Sequence, residues 1–200
     1  MIPFPLAIVL ASWLPSLLTF NYEPADGDVV FQTSHSRQSK ALQAVTGSRY
    51  THMGVVFLRG GKPYVYEAVG PVKYTPLDEW VGKGVDAHFV VKRLGSGPLT
   101  AEQIKALKNA GTPYEGKDYD LLFAWSDKQI YCSELVWKMF KSALNVEVGA
   151  IQRFRDFDLS SPLAKSIVKE RWGGRPPLNE PVVSPVAIFE SPLLRTVYKR

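Results

Sequence analysis

Tyr131-Cys132-Ser133-Glu134-Leu135-Val136-Trp137-Lys138-Met139-Phe140 contains the one cysteine of this 200-residue chain. Leu135, Val136, Met139, Phe140, Ala143 and Leu144 follow the i, i+3, i+4 spacing of a single helix face. One turn back from Leu135 and Val136 is Cys132, so its sulfur lies along the stripe that faces a core. Another turn back is Lys128, a poor core residue, and the helix is therefore predicted to begin near Cys132. Unpaired N–H groups and the macrodipole at a helix N-terminus favour a thiolate. The spacing predicts a helix over Cys132–Leu144 with a reactive side chain at its head.

A free cysteine is also among the most buried residue types and commonly acts as a small hydrophobe. A distant histidine separates the two readings, because a thiol and its base meet in space and not in sequence. Three histidines are available. His35 lies in the polar stretch Gln32–Gln38 and is expected in solvent. His88 lies in the strand-like run Val85–Val91 and is expected on the outer face of a sheet. His52 opens Thr51-His52-Met53-Gly54-Val55-Val56-Phe57-Leu58, which passes through Arg59-Gly60-Gly61-Lys62 into Pro63-Tyr64-Val65-Tyr66-Glu67-Ala68-Val69. Two β-prone runs about a Gly-Gly turn predict a hairpin.

With Gly60 and Gly61 as the loop, Arg59 faces Lys62, Gly54 faces Glu67 and His52 faces Val69. Residues directly paired, or two apart on one strand, share a sheet face. His52 and Glu67 then lie diagonally on one face at roughly 7–8 Å between Cβ atoms, which long side chains bridge. Gly54 leaves the position opposite Glu67 without a side chain.

The segments Gly27–Gln32, Tyr50–Gly54, Tyr64–Leu77, Tyr131–Trp137 and Val182–Phe189 together resemble the YiiX-type hydrolases, a permuted-papain branch of the NlpC-like cysteine peptidase superfamily. The resemblance spans nearly everything after the N-terminal apolar segment. It implies a chain order of histidine, polar orienting residue and cysteine, the reverse of papain's cysteine-first order. His52, Glu67 and Cys132 occupy those positions. The run Thr112–Asp120 resembles the family's Pro-Tyr-Asp approach to the cysteine, except that Glu115–Tyr119 intervenes between Tyr114 and Asp120. Tyr114 is taken as the pocket tyrosine, with Tyr119 as the other candidate.

The chemistry follows from the residue types. An ordinary thiol of pKa about 8.5 is mostly protonated at neutral pH. A histidine removes its proton, and a carboxylate behind the imidazole selects tautomer and orientation. Thiolate attack on a carbonyl gives an acyl-enzyme that water releases. Backbone N–H groups around Cys132 and Ser133 are expected oxyanion donors, and Tyr131 offers either a hydroxyl or simple packing. Glu134 is expected as a solvated acid of the first helical turn. Trp80, Trp125 and Trp137 are candidate groove walls, with packing expected for at least two.

One cysteine and three scattered histidines predict no metal set, and no Gly-rich phosphate loop is present, so no cofactor is expected. Hydrophobic residues at 46% and charged residues at 22% exclude a disordered chain. The net charge of +5 points to anionic surroundings such as lipid headgroups or wall polymers. The basic residues are dispersed, which argues against nucleic acid. Residues 1–20 carry no charge and predict a signal peptide or an N-terminal apolar anchor, hence export to the periplasm or cell envelope. Residues 21–200 form the predicted hydrolase domain.

Strands are predicted over Asp28–Gln32, His52–Leu58, Tyr64–Val69 and His88–Leu94. Further helices are predicted over Ser36–Val45, from a Thr100 cap with Gln103 in the capping box to Ala110, from Ser161-Pro162 to Gly173-Gly174, and briefly after Ser184-Pro185. Pro71–Lys83 and Tyr114–Ile130 are expected as loops. The prolines from Pro176 to Pro181 predict an extended tail on the surface. The expected fold is α+β and permuted papain-like, with the nucleophile helix on a small curved antiparallel sheet. The expected function is cysteine hydrolysis of an amide in a peptide or N-acyl compound. The alternatives are acyl transfer or ester and thioester hydrolysis on lipids, and a non-catalytic binding module with an occluded triad.

Overall fold

Gly60 and Gly61 both adopt positive φ, 57° and 76°, as a tight hairpin turn requires. They join β2 (His52–Arg59) to β3 (Lys62–Glu67). Arg59 faces Lys62 and Val55 faces Tyr66, so the register matches the one expected from the sequence. The computed structural model describes residues 21–200, and the predicted signal or anchor at residues 1–20 lies outside them.

The hairpin sits within a six-stranded antiparallel sheet. The other strands are β1 (Val29–Ser34), β4 (Lys73–Pro76), β5 (Gly84–Leu94) and β8 (Leu194–Lys199), in the order β4-β3-β2-β1-β5-β8. Both faces of its centre are covered, which explains the unbroken apolar run in β2. Val30, Val56, Val65, Phe89 and Val91 pack under α2 (Leu77–Gly82). Val29, Phe31, Met53, Val55 and Phe57 face α3 (Ala101–Gly111) and α4 (Cys132–Leu144).

The helices obey their predicted caps. Thr100 and Gln103 form the reciprocal capping box of α3. Ser36 caps α1 (Arg37–Thr46), and Ser161 caps α5 (Pro162–Trp172), which ends at left-handed Gly173. Ser184 caps the short α6 (Pro185–Phe189). The α4 boundaries are those that the apolar stripe predicts.

Three expectations fail. The stretch taken as a loop over Pro71–Lys83 contains β4 and α2, each too short for periodicity to register. The C-terminal region is no surface tail, because Val183 and Ile188 are fully buried and β8 extends the sheet beside β5. A small ladder, β6 (Gln152–Arg153) with β7 (Pro181–Val182), holds that region down. Glu134 is also not solvated. Its carboxylate is fully buried and pairs with Lys138 Nζ at 2.7 Å, a turn further along α4. Burial pushes this carboxyl up to about 7, against the opposing pull of Lys138.

Candidate active site

Cys132 is the first residue of α4 and is 2% exposed. Tyr131, at the cap position, makes no side-chain cap, so the first-turn N–H groups stay available to an anion. The thiol meets the His52 imidazole, the Tyr119 hydroxyl and the Met53 backbone N–H. Burial raises the thiol pKa, but these three donors together with the His52 charge hold it below its ordinary value.

His52 is the first residue of β2, at the end of the sheet. By strand alternation His52, Gly54 and Glu67 belong to the α2 face, whereas Cys132 heads a helix on the other face. The imidazole therefore reaches the thiol around the end of β2. Its Nε2 lies 2.5 Å from Glu67 Oε2, which leaves Nδ1 for Cys132. Burial disfavours the imidazolium, but hydrogen bonds and charge from Cys132 and Glu67 outweigh it and push His52 up to about 10.

The room for this contact comes from Gly54. A Cβ there would stand 2.5 Å from Val65 Cγ1, 2.7 Å from the Tyr66 carbonyl oxygen and 3.3 Å from Glu67 Cβ. Glu67 is almost wholly buried and its remaining lone pairs are taken. Trp80 Nε1 of α2 donates to Oε2 at 2.9 Å, and Thr75 Oγ1 of β4 donates to Oε1 at 2.6 Å. Burial raises this carboxyl, yet His52, Thr75 and Trp80 keep it below the ordinary carboxylate range.

The structure thus brings Cys132, His52 and Glu67 together. Tyr131 and Ser133 flank the thiol, but their side chains turn inward. The Tyr131 hydroxyl accepts the Val183 N–H at 3.2 Å, and Ser133 Oγ donates to the Val183 carbonyl at 2.8 Å. Both tie the head of α4 to the chain before α6. Tyr114 is not at the thiol; its hydroxyl donates to Asp127 at 3.1 Å. Tyr119 occupies that place instead. The sequence signal was the pair Tyr119-Asp120, which keeps tyrosine and aspartate adjacent as the family pattern does.

Behind Tyr119 runs a chain that sequence reasoning did not find. Arg171 of α5 donates to Gln38 Oε1 at 2.7 Å, and Gln38 Nε2 of α1 donates to the Tyr119 hydroxyl at 3.0 Å. That hydroxyl in turn donates to the Cys132 sulfur. Trp80 serves Glu67, while Trp137 donates to the Gly149 carbonyl and packs edge-on to Trp125, so none of the three forms a groove wall at the thiol. His35 is exposed, and His88 stacks on Tyr50.

Two hollows meet here. A cleft of about 620 Å³ contains His52 and Glu67 among polar residues. An apolar cavity of about 90 Å³ contains Cys132 and runs between α1 and α5. Gln38, Leu42, Tyr119 and Arg171 border both.

The family model of permuted papain-like amidase enzymes, YaeF/YiiX, C92 family, matches residues 23–198. The chain belongs to this family. As a permuted papain-like amidase it is a cysteine hydrolase of the peptidase and amidase kind. The Escherichia coli (strain K12) protein YiiX is 47% identical over 192 residues, which cover 96% of this chain and 95% of that protein. The crystal structure described as metalloprotein yiiX from Escherichia coli O157:H7 matches this amidase at TM-score 0.86 and 49% identity, over 90% of this chain and 99% of that one. Among the described residues here, no three His, Cys, Asp or Glu side chains converge as a metal set. The donors at the thiol do not fit a resident ion, since Glu67 is already saturated by His52, Thr75 and Trp80.

Proposed function

We propose that this amidase cleaves the amide bond of a peptide or N-acyl compound at the cell envelope, with Cys132 as nucleophile, His52 as base and acid, and Glu67 as the group that orients His52. The observation that carries this reading is the two-sided setting of His52. One ring nitrogen is held by a buried carboxylate at 2.5 Å, and the other faces a thiol at a helix head.

The thiolate attacks the carbonyl carbon, and the oxyanion develops against the free N–H groups at the start of α4. As the C–N bond breaks, His52 gives its proton to the departing nitrogen, leaving a thioester on Cys132. His52 then takes a proton from water, whose hydroxyl releases the acid and returns the thiol. Tyr119 stabilises the thiolate before attack. The apolar cavity at Cys132 favours a second reading, ester or thioester hydrolysis or acyl transfer on a lipid.

Intact-mass analysis after brief mixing with peptide, N-acyl amino acid and lipid-ester probes tests both. An acyl adduct on wild type that is absent from Cys132→Ser supports a covalent hydrolase, and the probe that turns over identifies the bond. No adduct with any probe would leave a binding module. The uncharged apolar residues 1–20 support export. Fusing residues 1–25 to a reporter active only outside the cytoplasm should give signal, and a silent, intact fusion in the cytosol removes the envelope.

A further inference from the structure

Three residues from distant parts of the chain stand in line behind the sulfur of Cys132. Arg171 of α5 donates to Gln38 Oε1 at 2.7 Å, and Gln38 Nε2 of α1 donates to the Tyr119 hydroxyl at 3.0 Å. That hydroxyl donates to Sγ of Cys132. The direction of each bond is forced by the one before it. A guanidinium has donors and no acceptor, so Oε1 of Gln38 must face Arg171. The amide nitrogen then faces Tyr119, whose oxygen has to accept. A phenol carries a single proton, and with Gln38 donating that proton cannot go to the amide. It points at the sulfur.

We propose that Gln38 and Arg171 are positioning residues of the hydrolase: α1 and α5 together lock the Tyr119 hydroxyl as a donor to Cys132 and so commit the nucleophile to its thiolate form. This deepens the proposed hydrolase reading and rests on it. An unlocked hydroxyl can accept the S–H as readily as it donates, and accepting favours the neutral thiol. A locked donor favours only the anion. The sulfur takes its donors from His52, Tyr119 and the Met53 backbone N–H, and neither Gln38 nor Arg171 is among them. Both act through Tyr119.

The backbone around Tyr119 is fixed by other means. Tyr119 bridges to Ile130, and Asp120 accepts the N–H groups of Leu122 and Ala124, both at 2.7 Å. What remains for Gln38 to set is the direction of the hydroxyl. Arg171 is itself held by the Leu121 carbonyl at 2.7 Å and stands over the Phe123 ring at 5.7 Å. Both of its hydrogen bonds go to uncharged oxygens, so its charge is left to polarise the line that ends at the thiolate. The charged and titratable groups along this line are His52 and Tyr131 near Cys132, and Glu170, Arg37 and Asp120 near Arg171. Among the described residues, the Gln38 side chain bonds only Tyr119 and Arg171.

Gln38→Glu is the deciding variant, because it keeps the size and the tie to Arg171 but puts an acceptor where Nε2 stood. Tyr119 then donates to the new carboxylate, and the sulfur loses that proton. The midpoint of the pH profile for iodoacetamide alkylation of Cys132 should rise by about one unit, as far as in Tyr119→Phe, which is about tenfold less thiolate at any pH below it. Gln38→Met removes the lock without reversing it and should shift the midpoint less. Gln38→Glu placed on the Tyr119→Phe background should add little, since the residue through which it acts is gone. From the other helix, Arg171→Met should raise the midpoint, and Arg171→Lys, which keeps a charged donor, should return it toward wild type. Thermal unfolding checks that each variant is folded. An unmoved midpoint in Gln38→Glu, a larger shift in Gln38→Met, or a full further shift on the Tyr119→Phe background overturns the proposal. If Gln38→Glu does not fold, the Arg171 pair decides alone, and equal midpoints in both variants and wild type overturn it. A wild-type thiol that reacts only above its ordinary pKa is a different result and overturns the hydrolase reading itself.

Discussion

Glu67 holds His52 from across the β2–β3 hairpin, with Nε2 and Oε2 2.5 Å apart over the gap that Gly54 leaves. The contact is diagonal. Neither residue is the other's direct partner in the ladder, so the bond needs two side chains leaning toward each other over a position with no Cβ. Burial then makes it matter: both groups are screened from water, and their charged forms depend on one another.

The first consequence is a pH profile. The lowered Cys132 thiol and raised His52 imidazole predict an ion pair at neutral pH. Iodoacetamide should alkylate Cys132 at pH 6 at least about tenfold faster than an ordinary thiol of pKa about 8.5, with little change on raising the pH toward 8. In His52→Ala the rate should fall and climb with pH instead. A thiol that reacts only above its ordinary pKa in both proteins is packing material.

Stability should follow the same charges. His52, raised from 6.5 to about 10, contributes fully below 6.5 and loses that contribution as pH rises toward 10. Glu67, lowered from 4.5, contributes fully above 4.5 and loses it as pH falls through its folded value. The contribution of the pair is therefore complete between 4.5 and 6.5. Thermal unfolding midpoints across pH 3–10 check this, and Glu67→Gln should flatten the acid limb. An unchanged acid limb in that variant removes Glu67 as its source.

Glu67→Gln should keep part of the activity, and Glu67→Ala should lose about a hundredfold or more in kcat with little change in KM. The amide oxygen can take the Oε2 position and accept from both His52 and Trp80. The amide N–H₂ then meets Thr75, whose hydroxyl turns to accept. Alanine leaves three buried donors without an acceptor. Near-wild-type rates in both variants would leave a Cys-His dyad or a different orienting residue.

Gly54→Ala is expected to destabilise the protein by about 1–3 kcal/mol, because the new Cβ meets the Tyr66 carbonyl oxygen at 2.7 Å, and backbone cannot swing aside as a side chain does. Forcing β2 from β3 also moves His52 from Glu67. Denaturant unfolding and kcat should fall together. A variant with full stability and full rate shows that the hairpin accommodates the methyl group.

Tyr119 and Ser133 should separate by their readouts. Tyr119→Phe removes a donor to the thiolate, so the alkylation profile shifts to higher pH and kcat falls. Ser133→Ala removes a bond to the Val183 carbonyl, costs about 1 kcal/mol of stability and leaves the alkylation profile in place. The reverse pattern would exchange their roles.

Local rules carried far in this chain. The α4 stripe, the Thr100 and Ser161 caps and the Gly-Gly turn depend on neighbours within a few residues, so spacing sufficed to read them. Strand parity extended that reach across the hairpin, and it found the His52–Glu67 relationship without any coordinates. Glu134 marks where such reasoning stops. Its position in the first turn of α4 was legible, but the burial of that turn comes from segments distant in sequence; the neighbouring Ser133, for one, is tied to Val183, some fifty residues away. The same distance hid Gln38 and Arg171, which α1 and α5 bring together behind Tyr119.

The sequence by itself singled out Cys132, His52 and Glu67 as candidates and indicated the family, because each rests on a periodicity of two or 3.6 residues or on a short motif. Tertiary structure decided that the imidazole rounds the end of β2 to meet a thiol on the other face, and that Tyr119, not Tyr114, completes the thiol's surroundings. It also decided that an apolar cavity bordering Cys132 adjoins the cleft that holds His52 and Glu67. These depend on which surfaces the packed sheet and helices bring into contact, and packing is a property of the whole chain.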